Sequence, residues 1–446
     1  MAVARRSGPQ LVRLLGQVDA VHGLYYLLMH GVGQVFGVSA WSMRLPSALA
    51  VAVTAGGTGW LGRRLAGGRA GWWAGLLVSA MPTVSRYGQE ARSYALVLAV
   101  AVLATCALLK AMDSSSRWWA VYGASVGLLG WLNMMALLLA AAHGVVVVVN
   151  GPGRRVMWRF LVSQAAGIAA LSPLLAFTFT QRSAVGEAEP VGAGTLPAFL
   201  GWLLVPGQEY VPHRMRTLLA AAAITALALT LTRVRKIPGP LVVVAVPWLV
   251  LPPVVLFAAS VHESHFAYRY LLFCLPPAAL LIGAACAHTT RSRQLVVGLA
   301  LSALFVPAHV NIRRQDSRAW DTTAVIHMVD ARAMPHDGFL ISGGRCPLLA
   351  AAYPQVFDGL DDLGTAVPAA RRGSLDNKPV PPAVLAQRLP RPSRVWQITC
   401  RHLSTGIRHT SAERTAAQTA QLMQQGQMSL VYRRTVRGMD LSLYER

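Results

Sequence analysis

The chain has 446 residues, of which 54% are hydrophobic and only 13% are Asp, Glu, Lys or Arg. Because ordinary globular proteins carry about 25% charged residues, this composition excludes a disordered chain and most soluble enzymes. The net charge of +23 would indicate nucleic-acid binding in a soluble chain, but most of the basic residues lie in short gaps between apolar runs. That placement is typical of a multi-spanning membrane protein, and we expect no nucleic-acid partner.

Apolar windows without charges predict the membrane-spanning helices. A hydrocarbon core about 30 Å thick requires roughly 20 apolar residues in a helix. Windows of about that size predict roughly ten transmembrane helices, in a domain covering residues 45–312. They run over 45–62, 70–85, 93–110, 118–132, 134–150, 157–180, 216–232, 239–260, 270–288 and 294–312.

The gaps between the spans fall into two sets by their basic residues. Basic gaps are predicted to face the cytoplasm. They hold Arg63, Arg64, Arg69, Lys110, Arg117, Arg154, Arg155, Arg159, Arg233, Arg235, Lys236, Arg291 and Arg293. The alternate gaps, at 86–92, Asn133, 181–215 and 261–269, are predicted to lie outside. The preference for Arg over Lys and the abundance of Ala, Gly and Val favour a bacterial source, so we expect a multi-pass protein of a bacterial plasma membrane.

Residues 313–446 are predicted to form a small extracytoplasmic α/β domain. Short apolar runs at 338–342 and 395–399 predict strands, and residues 411–425 predict a helix. Cys346 and Cys400 lie at the ends of the two apolar runs. An oxidising exterior permits a disulfide between them, with two buried free thiols as the alternative.

Residues 1–44 are predicted to form a juxtamembrane segment on the outer face. An outer C-terminus and ten spans place the N-terminus outside, and residues 22–38 favour an amphipathic helix at the interface. A marginal eleventh span over 22–38 remains open. Arg5, Arg6 and Arg13 precede it without an apolar span, so the charge rule predicts one further helix upstream.

The rare ionisable side chains gather on the predicted outer face. Carboxylates beside Arg and His near a bilayer suit a reaction on an anionic lipid, since such a reaction needs a base for the attacking hydroxyl and cations for the departing phosphate. These side chains are Asp19, His22, Arg86, Glu90, Arg92, Glu209, His213, His262, Glu263, His265 and Arg269.

Several of these residues also have a purely structural interpretation. Arg86 and Glu90 are four residues apart and could form an ion pair that only holds a loop, but Tyr87 and Tyr94 flank them like a contact surface for a sugar or a lipid phosphate. Asp19 and His22 could lie on a solvated face, although they precede the aromatic sequence Leu24-Tyr25-Tyr26.

The last outer gap leaves two alternatives open. His262 and His265 have the spacing of two ligands for a divalent metal, but a third ligand is not evident, and a polar loop is the alternative. Arg269 begins a span and is either an interface anchor or a ligand for a phosphate.

Three stretches resemble the GT-C superfamily of polyprenyl-phosphate-sugar-dependent glycosyltransferases. The resemblance is to the bacterial protein-mannosyltransferase and aminoarabinose-transferase-like branch, glycosyltransferase family 39. The stretches are VDAVHGLYYLLMH with MRLPSALA, SRYGQEARSYAL, which is similar to the family pattern R-Y-x-Q-E-A-R-x-Y, and YRYLLFCLPPAALLIG, which is similar to R-Y-L-x-x-x-L-P.

The resemblance implies a GT-C-like fold and transfer of mannose or a similar sugar. The donor would be a polyprenyl phosphate in the outer leaflet, and the acceptor a hydroxyl or amine of the cell envelope. By matching position, Glu90 and Arg86 would shape the donor pocket, Asp19 and His22 would lie beside the acceptor, and Arg269 would face the lipid phosphate. The candidate catalytic residues are Asp19 and Glu90, and the candidate substrate-binding residues are His22, Tyr25, Arg86, Tyr87, Arg92, His262, His265 and Arg269.

The chain departs from the family at its start. In similar proteins the first span ends in an outer Asp-Glu pair whose Asp is the presumed base, and that pair would fall upstream of Met1 here. Asp19 is the alternative base, and a catalytically inactive scaffold is the alternative function. A transporter or flippase is a third hypothesis, which the absence of midplane charges and paired repeats disfavours.

Overall fold

The structure divides into two compact units. The computed structural model describes residues 1–113, 116–181, 192, 195, 199, 236–261, 266–314, 317, 320–343, 346–401 and 411–446. The helical unit is Ala20–Ile312, and the mixed unit combines Met1–Asp19 with Arg313–Arg446. The segment 1–44 that the sequence predicts as one piece is therefore divided between the two units.

Helices are numbered along the chain, beginning with α1 (Gly8–Gln17) in the mixed unit. Short 3-10 helices over Ala20–His22, Met134–Leu137 and Tyr268–Cys274 precede α2, α8 and α12. The helical unit contains α2 (Gly23–Phe36), α3 (Leu45–Ala66), α4 (Gly68–Ala80), α5 (Pro82–Gly88), α6 (Tyr94–Asp113), α7 (Ser116–Leu132), α8 (Leu138–Val149), α9 (Arg154–Ala169), α10 (Ser172–Thr180), α11 (Gly239–Ala259), α12 (Leu275–Ala287) and α13 (Arg291–Arg313).

Helices occupy every predicted span that falls on described residues, but two spans are broken. The predicted span 70–85 ends as α4 at Ala80, because Met81 is extended and Pro82 begins a new helix. The predicted span 157–180 is interrupted at Leu171, two residues before Pro173. A proline lacks the amide that would continue the helix and is tolerated in its first turn. The predicted span 216–232 lies outside the described residues.

Four of the described helical segments are long and apolar enough to cross a bilayer, namely Tyr94–Asp113, Gly239–Ala259, Tyr268–Ala287 and Arg291–Arg313. The last of them leaves Leu295, Val296 and Leu299 more than 60% exposed. Apolar side chains exposed in a row along a helix are stable where lipid covers them. The chain is a multi-pass membrane protein.

Glycines allow α3, α4 and α12 to pack with their backbones in contact. A Cβ added to Gly71 of α4 would lie 2.5 Å from the Gly59 carbonyl oxygen of α3. A Cβ added to Gly283 of α12 would lie 2.7 Å from the Ala74 amide nitrogen of α4. Association between helices in lipid depends on such close van der Waals packing rather than on the hydrophobic effect.

We expect Gly71→Ala to weaken this three-helix packing. One methyl group inserted against backbone cannot be accommodated by a rotamer change, and overpacking typically costs about 1–3 kcal/mol. The measurement is the midpoint of heat-induced aggregation of the purified protein. Gly56→Ala in α3 is the matched control because its added Cβ would meet no atom within 4 Å. Equal aggregation midpoints for the two variants would contradict the close backbone packing at Gly71.

The mixed unit is built on a five-stranded sheet in the order β2-β1-β5-β7-β6. The strands β1, β2 and β5 are parallel, and β7 pairs antiparallel with β5 and β6. The strands are β1 (Gly338–Ser342), β2 (Asp361–Asp362), β3 (Thr365–Val367), β4 (Lys378–Pro379), β5 (Arg394–Cys400), β6 (Ser429–Val436) and β7 (Met439–Glu445). The helices are α14 (Thr322–Asp330), α15 (Leu349–Ala352), α16 (Pro354–Phe357), α17 (Ala369–Arg372), α18 (Pro382–Arg388) and α19 (Ser411–Gln425).

The centre of this sheet is β5, which is buried on both faces. Trp396 and Ile398 have no exposed surface, and Trp396 is in register with Phe339 of β1 and Leu443 of β7. The strands predicted at 338–342 and 395–399 and the helix at 411–425 are confirmed. So is the predicted fold class, an all-α polytopic membrane protein with a small C-terminal α/β domain.

Helix α1 packs on α17 within the mixed unit. Its Leu11 and Leu14 are buried, and the buried Arg6 guanidinium just before it donates to the Ser374 carbonyl oxygen over 2.6 Å. Arg13 donates to the Arg371 carbonyl oxygen over 3.1 Å. The basic residues of this tail thus satisfy carbonyl groups at a helix end.

Cys346 and Cys400 form a disulfide in the structure, with their Cα atoms 5.9 Å apart. Cys400 ends β5, and Cys346 follows β1, so the neighbouring parallel strands bring the two residues together. Of the two alternatives that the sequence leaves open, the structure contains the disulfide.

We expect Cys346 and Cys400 to resist alkylation in intact cells until a reductant is added. The bond closes a loop with a sequence separation of 54, and loop-closure entropy gives such a bond about 4 kcal/mol of stabilisation. Mass spectrometry of maleimide-treated protein measures the modification of each thiol. Labelling of Cys346 without reductant would contradict the pairing.

Candidate functional site

An ion pair between Arg86 and Glu90 lies at the break between α5 and α6. Arg86 Nε is 3.3 Å from Glu90 Oε1, and their side chains are only 12% and 19% exposed. Helix α5 ends at Gly88, and the Gln89 amide closes it by donating to the Arg86 carbonyl oxygen. Partial burial strengthens the attraction between the two charges, so the carboxylate of Glu90 is held in a defined orientation.

The loop that carries Glu90 is fixed against α3. Ser47 Oγ donates to the Glu90 carbonyl oxygen over 2.7 Å, and Ser47 is fully buried. Gly88 lies against Val51, where an added Cβ would be 2.9 Å from Val51 Cγ2. These contacts explain why the loop needs a small residue at position 88 and a short hydroxyl at position 47.

Two tyrosines, Tyr87 and Tyr94, lie beside the ion pair. Tyr87 and Tyr94 meet edge to face with their ring centroids 5.4 Å apart. Burial, reinforced by the Glu90 carboxylate, raises the pKa of Tyr87 above its ordinary value. Its hydroxyl therefore stays protonated and serves as a hydrogen-bond donor in the physiological range.

Arg269 lies close to the same two tyrosines. It belongs to the 3-10 helix Tyr268–Cys274, which packs on α6. Its guanidinium lies over the ring of Tyr270, with Cζ 5.1 Å from the centroid, and interacts electrostatically with the hydroxyls of Tyr87 and Tyr94. Arg269 remains exposed. An exposed guanidinium held over an aromatic ring can still bind an anion from the solvent side.

Tyr25 of α2 adds a buried hydroxyl. The residue is 5% exposed, and Tyr25 Oη has no hydrogen-bond partner among the described residues. The hydroxyl interacts electrostatically with Arg92 and Glu90, so α2 contributes to the same place as α5 and α6. The ring of the adjacent Tyr26 stacks on that of His22, with centroids 6.0 Å apart.

We call the group of Tyr25, Arg86, Tyr87, Glu90, Arg92, Tyr94 and Arg269 the tyrosine–arginine cluster. It carries three guanidinium groups and one carboxylate. The excess of positive charge suits an anionic ligand such as a phosphate, and tyrosine hydroxyls and ring faces suit a sugar. The carboxylate is the group in the cluster that can accept a proton from an attacking hydroxyl.

Apart from His22, the other predicted site residues lie in the mixed unit or outside the described part of the chain. Asp19 belongs to the mixed unit, where its backbone has a φ of 66° in the left-handed region. His262, His265, Glu209 and His213 lie outside the described residues. Among the described residues no three His, Cys, Asp or Glu side chains are grouped to hold a metal ion.

Two members of the site were missed by the sequence analysis. Ser47 fixes the Glu90 loop through a hydrogen bond to its carbonyl oxygen, and Tyr270 supplies the ring under Arg269. Both lie within the stretches that carry the family resemblance, MRLPSALA and YRYLLFC. Their proximity to the motif residues was the available signal.

Comparison with known proteins gives one family match, which covers part of the chain. The family model for dolichyl-phosphate-mannose-protein mannosyltransferase matches residues 24–178, which include most of α2 and α10, all the helices between them, and the tyrosine–arginine cluster except Arg269. No curated protein matches the chain.

Two crystal structures of ArnT from Cupriavidus metallidurans are similar to the chain. The apo state gives a TM-score of 0.57 at 14% identity and covers 95% of this chain and 87% of ArnT. The state bound to undecaprenyl phosphate gives a TM-score of 0.56 at 13% identity and covers 94% and 87%. The chain has the GT-C fold. The resemblance to GT-C glycosyltransferases inferred from the motifs is confirmed.

We expect Tyr25→Phe to raise the thermal stability of the ligand-free protein. A buried hydroxyl without a partner costs about 1–3 kcal/mol, and phenylalanine removes it without leaving a cavity. The measurement is the melting temperature of the purified protein without ligand.

Tyr122→Phe is the matched control for that variant. The Tyr122 hydroxyl is buried and bonded to His143 Nδ1 at 3.1 Å and to Gln164 Nε2 at 3.0 Å, so its removal should lower the melting temperature. A lower melting temperature for Tyr25→Phe as well would show that its hydroxyl is already satisfied.

Proposed function

We propose that the chain is a membrane glycosyltransferase that moves mannose or a similar sugar from a polyprenyl phosphate to an acceptor of the cell envelope. The reaction would take place on the outer face of a bacterial plasma membrane. The observation that carries the proposal is the oriented Glu90 carboxylate, paired with Arg86 at 3.3 Å and surrounded by tyrosines and further arginines on a GT-C fold. The ArnT complex with undecaprenyl phosphate supports a lipid-phosphate donor.

The proposed reaction is a displacement at the anomeric carbon of the donor sugar. A carboxylate accepts the proton of the acceptor hydroxyl while the acceptor oxygen attacks that carbon. The bond between the anomeric carbon and the phosphate oxygen breaks, and the polyprenyl phosphate leaves with the electron pair. Attack opposite to the leaving phosphate inverts the configuration.

Each residue of the tyrosine–arginine cluster has a role in this scheme. Arg86 positions Glu90, and Arg92 and Arg269 balance the charge on the leaving phosphate. Tyr25 and Tyr87 present hydroxyls to the donor. Asp19 is the second candidate for the base.

We keep three histidines in the scheme as proposed substrate contacts. His22 would lie beside the acceptor, and His262 and His265 would bind substrate from the outer loop. We also place the mixed unit outside the cytoplasm, where the Cys346–Cys400 disulfide would persist.

We expect Glu90→Gln to reduce transfer by about 10²–10⁴-fold, the usual contribution of a general base. Glutamine keeps the size of the side chain but does not accept the proton. The measurement is sugar transfer from a radiolabelled polyprenyl-phosphate sugar to envelope material by the purified full-length protein, with membrane accumulation measured in parallel.

Glu445→Gln is the matched control for that experiment. Glu445 is also paired with an arginine, Arg394, at 2.9 Å, but it belongs to the mixed unit. Asp19→Asn tests the alternative base. Normal transfer by Glu90→Gln would refute the role of Glu90, and a wild-type protein that transfers no sugar from any polyprenyl-phosphate donor would support the inactive scaffold instead.

A further inference from the structure

A second concentration of charge lies at the opposite end of α6 from the tyrosine–arginine cluster. Tyr94 begins α6 and Lys110 lies sixteen residues later, so about 24 Å of helix separates them at 1.5 Å per residue. Here Arg64 of α3 donates to the Leu109 carbonyl oxygen over 3.4 Å, and Trp118 of α7 lies beside Lys110. The region therefore takes no part in the proposed transfer reaction.

At this end two indole rings are surrounded by three cations. Lys110 Nζ lies 4.3 Å from the ring centroid of Trp118 and 5.2 Å from that of Trp60. Arg117 Cζ lies 5.9 Å from the Trp118 centroid, and Arg64 Cζ lies 5.5 Å from the Trp60 centroid. We call these five residues the indole–cation cluster.

The charges of the indole–cation cluster are only partly balanced. Arg64 forms a salt bridge with Asp113 at 2.5 Å. Within the described part of the chain, neither Lys110 nor Arg117 forms a salt bridge with a carboxylate. Cation–π contacts hold both side chains in place without neutralising them. Two positioned positive charges are thus available to an anion.

The surroundings favour an anion that carries acyl chains. Arg64 and Lys110 lie near the ends of α3 and α6, where a helix leaves the bilayer. Trp72, near the beginning of α4, is 83% exposed, and Leu76 one turn further is 61% exposed. An exposed tryptophan followed by exposed leucine is typical of the headgroup boundary with acyl chains beyond it.

We propose that the indole–cation cluster binds the phosphate of an anionic phospholipid, with Lys110 and Arg117 as the phosphate ligands. Trp60 and Trp118 hold the two cations at the headgroup level, and the acyl chains lie along the exposed apolar surface of α4. Basic pockets between transmembrane helices on the cytoplasmic side are a recognised form of lipid recognition. Free inorganic phosphate has the same charged group, so the test separates the two sources.

The test is the melting temperature of the detergent-purified full-length protein, titrated with a short-chain phosphatidylglycerol, with the matching phosphatidylcholine and with inorganic phosphate. We expect the phosphatidylglycerol to stabilise the wild type at a concentration at least tenfold lower than the phosphatidylcholine, and phosphate alone to have no effect. Equal effects of the two lipids would overturn the proposal. An equal effect of phosphate alone would overturn its lipid part.

Amino-acid substitutions distinguish lipid binding at the indole–cation cluster from a general attraction between the lipid and exposed positive charges. Lys110→Gln with Arg117→Gln should weaken phosphatidylglycerol binding about 25-fold, since each basic side chain near a lipid surface contributes about fivefold. The matched control is Arg291→Gln with Arg293→Gln, which removes two exposed cations from α13 and should change binding less than twofold. Equal weakening by the two pairs would overturn the proposal.

Two further variants keep the test decisive if the double glutamine variant fails to accumulate. Lys110→Arg with Arg117→Lys retains both charges and should retain binding. Trp118→Leu retains the charges but removes the ring that positions them, and should weaken binding severalfold. Unchanged phosphatidylglycerol binding by Trp118→Leu would show that the indole ring does not position the phosphate ligands, and would overturn the proposal.

Discussion

The structure depends on one constraint of the bilayer, which offers no hydrogen-bond partners to the polypeptide. Backbone amides and carbonyls must be paired inside helices there, and charged side chains are expelled from the helix bodies. The chain can therefore place chemistry only where a helix begins, ends or breaks. The pair of Arg86 and Glu90 lies at such a break, between α5 and α6. Arg269 lies in the 3-10 turns that precede α12.

A buried histidine of the helical unit obeys the same constraint. His143 of α8 is 2% exposed, and its two ring nitrogens pair with Thr105 and Tyr122 at 3.1 Å each. Gln164 of α9 donates to the Tyr122 hydroxyl as well. These hydrogen bonds join four helices, so the network helps to fix the packing of α6 to α9.

The sequence predicted the helical regions well because an apolar window of bilayer length needs no long-range information. It also predicted the pairing of Arg86 with Glu90, since four residues along a helix bring two side chains to one face. It did not predict the breaks at Met81 and Leu171, although Pro82 and Pro173 carried the signal. Proline is common enough in membrane helices that it does not mark a break by itself.

Long-range contacts account for what the sequence could not provide. The assignment of residues 1–19 to the mixed unit rests on contacts such as that of Arg6 with Ser374, a separation of 368 residues. The role of Ser47 in holding Glu90 likewise depends on the approach of α3 to the loop after α5. Arg6 has no local pattern that distinguishes it from other arginines of the chain, and the signal for Ser47 was its place within MRLPSALA.

The charge balance of the tyrosine–arginine cluster explains how one carboxylate can remain oriented at a membrane surface. Removing a lone carboxylate from water is costly, and a neighbouring guanidinium offsets that cost when the two are close. Arg86 performs this role for Glu90 before any ligand arrives. The positive charges of Arg92 and Arg269 are then not balanced by a carboxylate of the cluster. A phosphate would complete the balance. Under the proposed function, the same set of charges therefore orients the carboxylate that acts as the base and binds the phosphate of the donor.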